Sequence, residues 1–356
     1  MPDRARQPGR GRGIRRIGES VYGDQALKQP EAEAGRADGG GWRTGQGAVS
    51  TGLLMVQTLN GLQYGVLLFL VAAGLTLVFG VMDFVNLAHG VQYMLGAYLA
   101  ATLATLTGSF WGGLLLALPA ALLFGLALEW LVFRHLYARD HLAQVLATFG
   151  AILFLSQAVR AIFGTAPLHM PLPAGLEGGI ELLPGLRYPL YRLAILIAGL
   201  LVALGLWLLI ERTRAGALVR AGASNAPMLS ALGIDTGRLF LLVFAAGAML
   251  AGFAGAMAAP ILSVDPNMGE TVLILAFVVI VIGGIGSARG AFIGALIVGL
   301  ADTLGRSFGT DLLKAALGAS AATRVGPALA SMLIYIVMAA VLFFRPAGLF
   351  PARGRG

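Results

Sequence analysis

The hydrophobic positions of this chain form long apolar runs, separated by short polar stretches, from about residue 53 to residue 344. Many runs have about 17 to 25 residues, the length with which an α-helix crosses roughly 30 Å of hydrocarbon. The seventh and eighth runs are short and meet at GGIGSARGA, which predicts a broken pair of helices or a tight hairpin. The pattern predicts eight to ten transmembrane helices, including broken or re-entrant segments, from runs near 53–80, 85–107, 110–133, 142–163, 190–210, 239–262, 271–286, 291–304 and 328–344.

Composition supports the same fold class. Hydrophobic residues make up 58% of the 356 residues and charged residues only 12%, whereas about 25% of an average soluble protein is charged. The chain is therefore predicted to be an all-α polytopic membrane protein. It contains no cysteine, which excludes disulfides, a thiol nucleophile and cysteine metal sites.

Glycine is unusually frequent, with 51 residues, and small residues let helices approach closely inside a membrane. Three sets of small residues recur at a spacing of four, which predicts helix packing: Gly96, Ala100 and Ala104; Ala248, Gly252 and Ala256; Gly286, Gly290 and Gly294.

Residues 1–50 differ from the transmembrane domain, which we place at 51–350. They hold nine basic and six acidic residues, many glycines and almost no apolar periodicity, so we predict a disordered basic extension. Either it contacts anionic lipid headgroups or it is dispensable. A second candidate start, Met55, stands where the first apolar run begins. A third interpretation is therefore that the residues before Met55 result from a misassigned start codon.

The distribution of basic residues predicts the orientation. One side of the membrane receives 134–141, 211–238, Arg289 and 345–356, with ten basic residues, and the other side receives six. The positive-inside rule places 211–238 in the cytoplasm. Nine crossings would then put the basic N-terminus outside, and a half-helix within 74–90 would resolve this conflict. The outer loop 164–189 is rich in proline, which blocks a helix. It covers an entrance, docks an external partner or simply connects two helices.

A polar break interrupts the apolar pattern between residues 83 and 90, where Asn86 and His89 precede Gly90. Asn86 and neutral His89 both supply hydrogen-bond donors and acceptors, and polar groups at membrane depth are tolerated where they line water or are buried in protein. Gly80 and Gly90 could each let the chain bend. We predict a substrate pathway here, with candidate residues Asn86, His89, Gly90, Gly284 and Gly286. The alternative is that Asn86 and His89 cap the second helix and tie it to its neighbours.

The longest polar stretch of the cytoplasmic side, 211–238, predicts two short helices lying against the membrane. Asn225 fits an N-cap with Pro227 in the first turn, and Gly233 fits the position after a helix end. Met228, Leu229 and Leu232 would form a short apolar face. An ordinary loop with a solvated face is the alternative. The candidate coupling residues are Arg220, Asn225, Leu229 and Gly233.

Enzyme chemistry is not predicted. The four histidines have no metal-ligand spacing on one helix face, and neither lysine, Lys28 or Lys314, follows a glycine as in a phosphate loop. We therefore expect no metal, no cofactor and no ATP hydrolysis by this chain. Because no basic cluster forms after residue 50, we also expect no nucleic-acid partner. Asp83, Glu129 and Asp302 are placed near segment ends, which argues against an ion-coupled carrier because such carriers use carboxylates at mid-membrane.

Four motifs carry a family resemblance: GLTLVFGVMDFVNLAHGVQYMLGAY, RAGASNAPMLSALGID, IGGIGSARGAFIGALIVGL and FFRPAGLF. In this order they resemble the permease subunits of branched-chain amino acid ABC importers, the LivH/LivM type, over about residues 52–350. The core Asn-x-Ala-His-Gly is closer to the LivH half. Arg289 stands where the family usually has proline, so the local geometry of that turn differs.

The resemblance implies a type II ABC importer permease fold in the inner membrane. It also implies a complex of this chain with a second, LivM-like permease, two ATPases and an external solute-binding protein. The region matching 211–238 resembles the part of the family that docks the ATPase. Branched-chain amino acids are the expected substrates, with urea, short amides or another small polar solute as the alternative. A passive channel is a third hypothesis, and it would have no use for an ATPase dock.

Overall fold

The computed structural model describes residues 51–183 and 186–351. Within these ranges the chain forms ten α-helices, one 3₁₀ turn at Phe133–His135 and one antiparallel pair of strands. The predicted disordered extension, 1–50, lies outside the described residues. The elements are α1 (Thr51–Met82), α2 (His89–Thr107), α3 (Phe110–Leu131), α4 (His141–Phe163), β1 (Gly179–Leu183), β2 (Leu186–Pro189), α5 (Leu190–Arg212), α6 (Arg214–Ala231), α7 (Thr236–Ala258), α8 (Met268–Gly283), α9 (Ala288–Leu317) and α10 (Ala319–Phe344).

Each of the nine apolar runs forms a helix over most of its length, so the predicted all-α membrane architecture is confirmed. Seven helices in the described part of the chain are long and apolar enough to cross a membrane, namely α1, α3, α4, α5, α7, α9 and α10. The other two runs form α2, which has 19 residues, and α8, which has 16. At 1.5 Å per residue α8 is only about 24 Å long, so it belongs to the short segments that the sequence predicts.

The predicted ends of the last two runs are wrong. The run at 291–304 is part of the 30-residue α9, which extends to Leu317, and α10 begins at Ala319 rather than near 328. The polar stretch between the runs remains helical because α9 and α10 pack against each other there, with Gly326 against Thr310. As a consequence Asp302 lies in the middle of α9 instead of near a segment end, and its carboxylate pairs with Arg306 one turn later at 2.8 Å.

The backbone at the polar break also differs from the prediction. Helix α1 is continuous through Gly74 and Gly80 as far as Met82, so 74–90 contains no half-helix that belongs to α1. The chain leaves helical geometry only at 83–88. Gly80 therefore does not bend the helix. Its missing side chain instead allows close packing, since an added Cβ would lie 3.1 Å from the Cα of Gly286.

Helix α1 and the small-residue sets form the centre of the bundle. An added Cβ on Gly96 would lie 2.2 Å from the Cα of Gly252, and Ala100 packs in one cluster with Ala256. Two of the predicted sets therefore pack against each other, which joins α2 to α7. Gly290 and Gly294 of the third set pack against α8, while Gly286 lies in the α8–α9 turn.

The connections gather at two ends of the bundle. At one end, which we call the α6 end, Glu211 pairs with Arg289 at 3.1 Å, Val81 lies beside Gly222, and the Phe350 amide donates to Gly283 at 2.9 Å. These contacts bring together segments that the basic-residue count assigns to one side. At the other end, the hairpin end, β1 pairs with β2, and Leu168 forms an antiparallel bridge to Val264.

Candidate translocation site and coupling surface

The polar break is a connection of defined geometry between α1 and α2. Asp83 has a left-handed backbone, with φ 50°, a conformation that aspartate adopts more readily than most residues. The Val85 amide donates to Gln144 Oε1 of α4 at 3.3 Å, and the Phe84 ring lies 5.5 Å from the ring of Phe133. The break is therefore anchored to α4 and to the end of α3.

Asn86 and His89 are both fully buried, but their side chains differ in what they bind. His89 Nε2 donates to the carbonyl oxygen of Val71 in α1 at 3.0 Å, whereas His89 Nδ1 has no partner. Neither side-chain atom of Asn86 makes a hydrogen bond, and Ala88 at the start of α2 provides no side-chain cap. His89 thus ties α2 to α1, and Asn86 is a buried amide without a protein partner.

Two further buried polar groups in this region also lack partners. They are the hydroxyl of Thr76 in α1 and the amide of Gln92, which lies beside the His89 ring without meeting hydrogen-bond geometry with it. Leaving a buried polar group unsatisfied costs about 1–3 kcal/mol, so such groups are rare and each calls for an explanation. A polar solute or water that passes through this region would satisfy them.

The candidate glycines fall into two separate places. Gly90 lies at the break, where an added Cβ would lie 2.1 Å from the carbonyl oxygen of Gly269 in α8. Gly284 and Gly286 form the α8–α9 turn at the α6 end, with φ values of 104° and 79°. Gly286 packs against Gly80, which is about 13.5 Å along α1 from Val71, the partner of His89. The structure therefore places these two glycines at the α6 end of the bundle, away from His89.

A cavity of about 240 Å³ lies between α1, α2, α8 and the connection that precedes α8. Its mouth is at the hairpin end, where Leu262 and Ser263 are exposed. Its lining reaches inward along α1 from Tyr64 to Val71. Because the Val71 carbonyl accepts the hydrogen bond from His89, the inner end of the cavity adjoins the buried polar groups of the break.

The polar residues of this cavity were not predicted from the sequence; they are Tyr64, Tyr93, Ser263, Asp265 and Thr271. Tyr64, Tyr93 and Thr271 lie within apolar helices, and nothing in the local pattern distinguishes them from residues that only pack. Asp265 did carry a signal, because it is the acidic residue of the polar interruption SVDPN between two apolar runs.

The predicted coupling region has the predicted local structure. Within α6, Asn225 leaves helical geometry, with φ −157° and ψ 90°, and divides the element into two short helices. Asn225 Oδ1 accepts from the Met228 amide at 2.9 Å, as an N-cap does. Gly233 follows the second helix with φ 84°, and its amide donates to Ser230 at 3.0 Å.

The apolar face of the second short helix is divided. Leu229 is 5% exposed and packs toward Gly222, whereas Met228 is 56% and Leu232 69% exposed. Met228 and Leu232 are four residues apart and so lie on one side of the helix. We define Arg220, Met228 and Leu232, all exposed, as the α6 surface. Leu229 supports this surface from within.

These features define a class of protein. A helical bundle with seven helices of membrane-spanning length, a cavity open at one end and unpartnered polar groups beyond it is a polytopic membrane transport protein. The model of the family described as branched-chain amino acid transport system permease component matches residues 57–342. The chain belongs to this family of ABC-transporter permeases and is a multi-pass protein of the inner membrane.

Individual relatives agree with the family match. The chain is 31% identical over 307 residues to the high-affinity branched-chain amino acid transport system permease protein BraD of Pseudomonas aeruginosa, covering 82% of this chain and 94% of the relative. It is 30% identical over 264 residues to the permease protein LivH of the corresponding system of Escherichia coli, covering 71% and 86%. A probable LivH of Methanocaldococcus jannaschii is 28% identical over 267 residues, covering 70% of this chain and 82% of the relative. No solved structure matches the chain.

Proposed function

We propose that this chain is the membrane-spanning permease subunit of an ATP-driven importer for branched-chain amino acids. In this proposal a second permease, two ATPase subunits and an external solute-binding protein complete the complex, and ATP is hydrolysed only by the ATPase subunits. The family match and the transport function named for BraD and LivH support the substrate class.

The observation that carries the ATP-driven mechanism is the α6 surface. Met228 and Leu232 are exposed apolar side chains on a helix that lies outside the seven membrane-length helices. The caps at Asn225 and Gly233 fix this helix at both ends. Exposed apolar side chains on a rigid element are suited to a protein partner, whereas a passive channel has no use for them.

The structure offers little support for an ion-coupled carrier. The buried carboxylates of the described residues are Glu129 and Asp302. Glu129 accepts a hydrogen bond from the Tyr137 hydroxyl at 2.9 Å, and Asp302 pairs with Arg306. Burial raises the pKa of Tyr137, which keeps its hydroxyl protonated as the donor to Glu129. Both carboxylates therefore have partners within the protein.

Uptake by the reconstituted complex tests this function. The complex in proteoliposomes, with ATP inside and solute-binding protein outside, should accumulate labelled L-leucine and should not accumulate labelled urea. Leu232→Ser should weaken ATPase binding and lower leucine uptake several-fold, because it removes an exposed apolar contact of the α6 surface.

Leu312→Ser is the matched control. Leu312 is 72% exposed and lies about 36 Å along α9 from the α6 end, at 1.5 Å per residue. It should leave ATPase binding unchanged. Urea uptake without leucine uptake would favour the alternative solute class. ATP-independent leucine flux would favour a channel, and equal ATPase binding by both variants would move the docking surface elsewhere.

A further inference from the structure

The cavity at the hairpin end has an apolar side and a polar side. Leu67, Val71 and Val272 line it with aliphatic groups, and Tyr64 and Asp265 provide polar groups toward its mouth. Small-molecule sites in proteins typically combine a mostly apolar lining with a few polar groups that fix orientation. The volume of about 240 Å³ suits a solute of few heavy atoms rather than a large one.

Asp265 is the anionic group of this lining. It is half-buried, and its Oδ1 accepts from the Asn267 amide at 2.8 Å. Within the described residues no lysine or arginine forms an ion pair with it, and Arg160, on the neighbouring α4, donates instead to Asn267 Oδ1 at 2.6 Å. A half-buried carboxylate without a cationic partner attracts a cationic group of a ligand, since such charge-assisted bonds are stronger than neutral ones.

The amino-terminal end of helix α8 adjoins this carboxylate. Helix α8 begins at Met268, which lines the cavity together with Thr271 in the same first turn. The amides of Met268, Glu270 and Thr271 already donate to the carbonyl oxygens of Asp265 and Asn267, so the helix end is occupied by the protein's own groups. The cavity thus offers an anion and an aliphatic wall within one small space. These are the complements of the ammonium group and the side chain of an apolar amino acid.

We propose that this cavity is a substrate subsite of the permease itself, in which Asp265 holds the α-ammonium group of a branched-chain amino acid and Leu67, Val71 and Val272 contact its side chain. The proposal rests on the proposed function. It places a selective contact within the permease, in addition to any selection by an external binding protein.

The position of Val71 gives the subsite a place in the transport path. Val71 lines the cavity, and its carbonyl oxygen accepts the hydrogen bond from His89. One turn further along α1, an added Cβ on Gly74 would lie 2.6 Å from the carbonyl oxygen of Gly247. Helices α1, α2 and α7 are therefore packed closely just inward of the subsite. This packing closes the path beyond a solute bound there.

Asp265→Asn tests the proposal in the reconstituted complex with solute-binding protein present. Asparagine keeps an oxygen that accepts from the Asn267 amide, so the connection before α8 should retain its shape, while the negative charge is lost. We expect L-leucine uptake per assembled complex to fall about tenfold or more. Glu270→Gln is the matched control, because Glu270 is exposed, lies five residues away and does not line the cavity. It should transport as the wild-type complex does.

A second variant tests the aliphatic side of the cavity without changing its charge. Val272→Phe fills the aliphatic side of the cavity and should also lower leucine uptake per complex by about tenfold. Uptake at the wild-type level in either Asp265→Asn or Val272→Phe would overturn the subsite. A wild-type complex that accumulates urea but no leucine would instead refute the proposed function, and with it the ligand assigned to Asp265, so the two failures are distinguishable.

Discussion

Buried polar side chains in this protein fall into two groups, and the difference lies in their partners. His89, Gln144 and Asp302 bind groups of the protein itself. Asn86 and Gln92 are equally buried, but their amides have no hydrogen-bond partner in the described part of the chain. Partnered groups hold helices together. Unpartnered groups destabilise the fold, which favours a role in hydrogen bonding to a transported solute or to water.

At this scale we predict different effects on folding for two buried residues that lie three positions apart, Asn86 and His89. Asn86→Leu should leave the amount of folded complex unchanged or raise it, because an unsatisfied amide is replaced by an apolar group of similar size. Leucine uptake per complex should nevertheless fall about tenfold, which corresponds to roughly 1.4 kcal/mol. His89→Leu should lower the amount of folded complex, since it removes the bond from His89 to Val71. Normal uptake by a poorly folding Asn86→Leu variant would assign Asn86 a structural role.

Among the elements, α6 is the one whose form follows most directly from local chemistry. Thr213 caps its first helix by accepting from the Gly216 amide at 3.0 Å, Asn225 caps its second, and Gly233 ends it. Asp235 then caps α7 by accepting from the Arg238 amide. Each of the three caps joins residues three positions apart, and the stop at Gly233 depends only on the backbone conformation of that residue. The shape of α6 is therefore fixed by local contacts.

Gly233→Val tests whether this shape transmits coupling. An added Cβ on Gly233 meets no atom within 4 Å, so the effect comes only from its positive φ, which costs a branched residue about 1–2 kcal/mol. We expect normal membrane insertion, with leucine uptake and substrate-stimulated ATP hydrolysis reduced together. Gly150→Val is the control, because Gly150 also meets nothing within 4 Å but has ordinary helical geometry. Unchanged coupling in Gly233→Val would exclude the helix end from the docking surface.

For the whole molecule, close backbone contact between helices replaces much of the role that large side chains have in soluble cores. Gly65 of α1 meets α9, Gly90 of α2 meets α8, and Gly96 of α2 meets α7, each at a distance that leaves no space for a Cβ. Helix association inside a membrane depends on such packing, since lipid supplies no hydrophobic drive between helices. One of the three contacts, that of Gly90 with α8, joins two helices that line the cavity.

Gly96→Val should therefore lower the folded fraction strongly, because its Cβ would lie 2.2 Å from the Cα of Gly252, and backbone there cannot move aside cheaply. Overpacking of this kind costs about 1–3 kcal/mol or more. Gly205→Val, in α5, is the control, since nothing lies within 4 Å of its added Cβ. Thermal stability of the purified complex measures both. Equal stability of the two variants would contradict the packing role of the glycine contacts.

The sequence by itself determined the features that depend on neighbouring residues. Apolar run length gave the nine helical segments, because crossing hydrocarbon requires a minimum length and composition. The two short helices of α6 were predictable from Asn225 and Gly233, because caps and helix ends act over three or four residues. The small-residue sets predicted that α2 and α7 pack closely, but not that they pack against each other.

Tertiary structure decided everything that joins distant residues. Helix α9 extends past its apolar run because α10 packs against its polar half, which moves Asp302 from a predicted segment end to the middle of a helix. The cavity exists only because α1, α2 and the start of α8 bring Tyr64, Tyr93 and Asp265 together. Whether Asn86 finds a partner depends on the side chains that surround it in space. The reason is common to all three: a pattern along the chain specifies a helix and its faces, and only the packing of those faces specifies which polar groups meet.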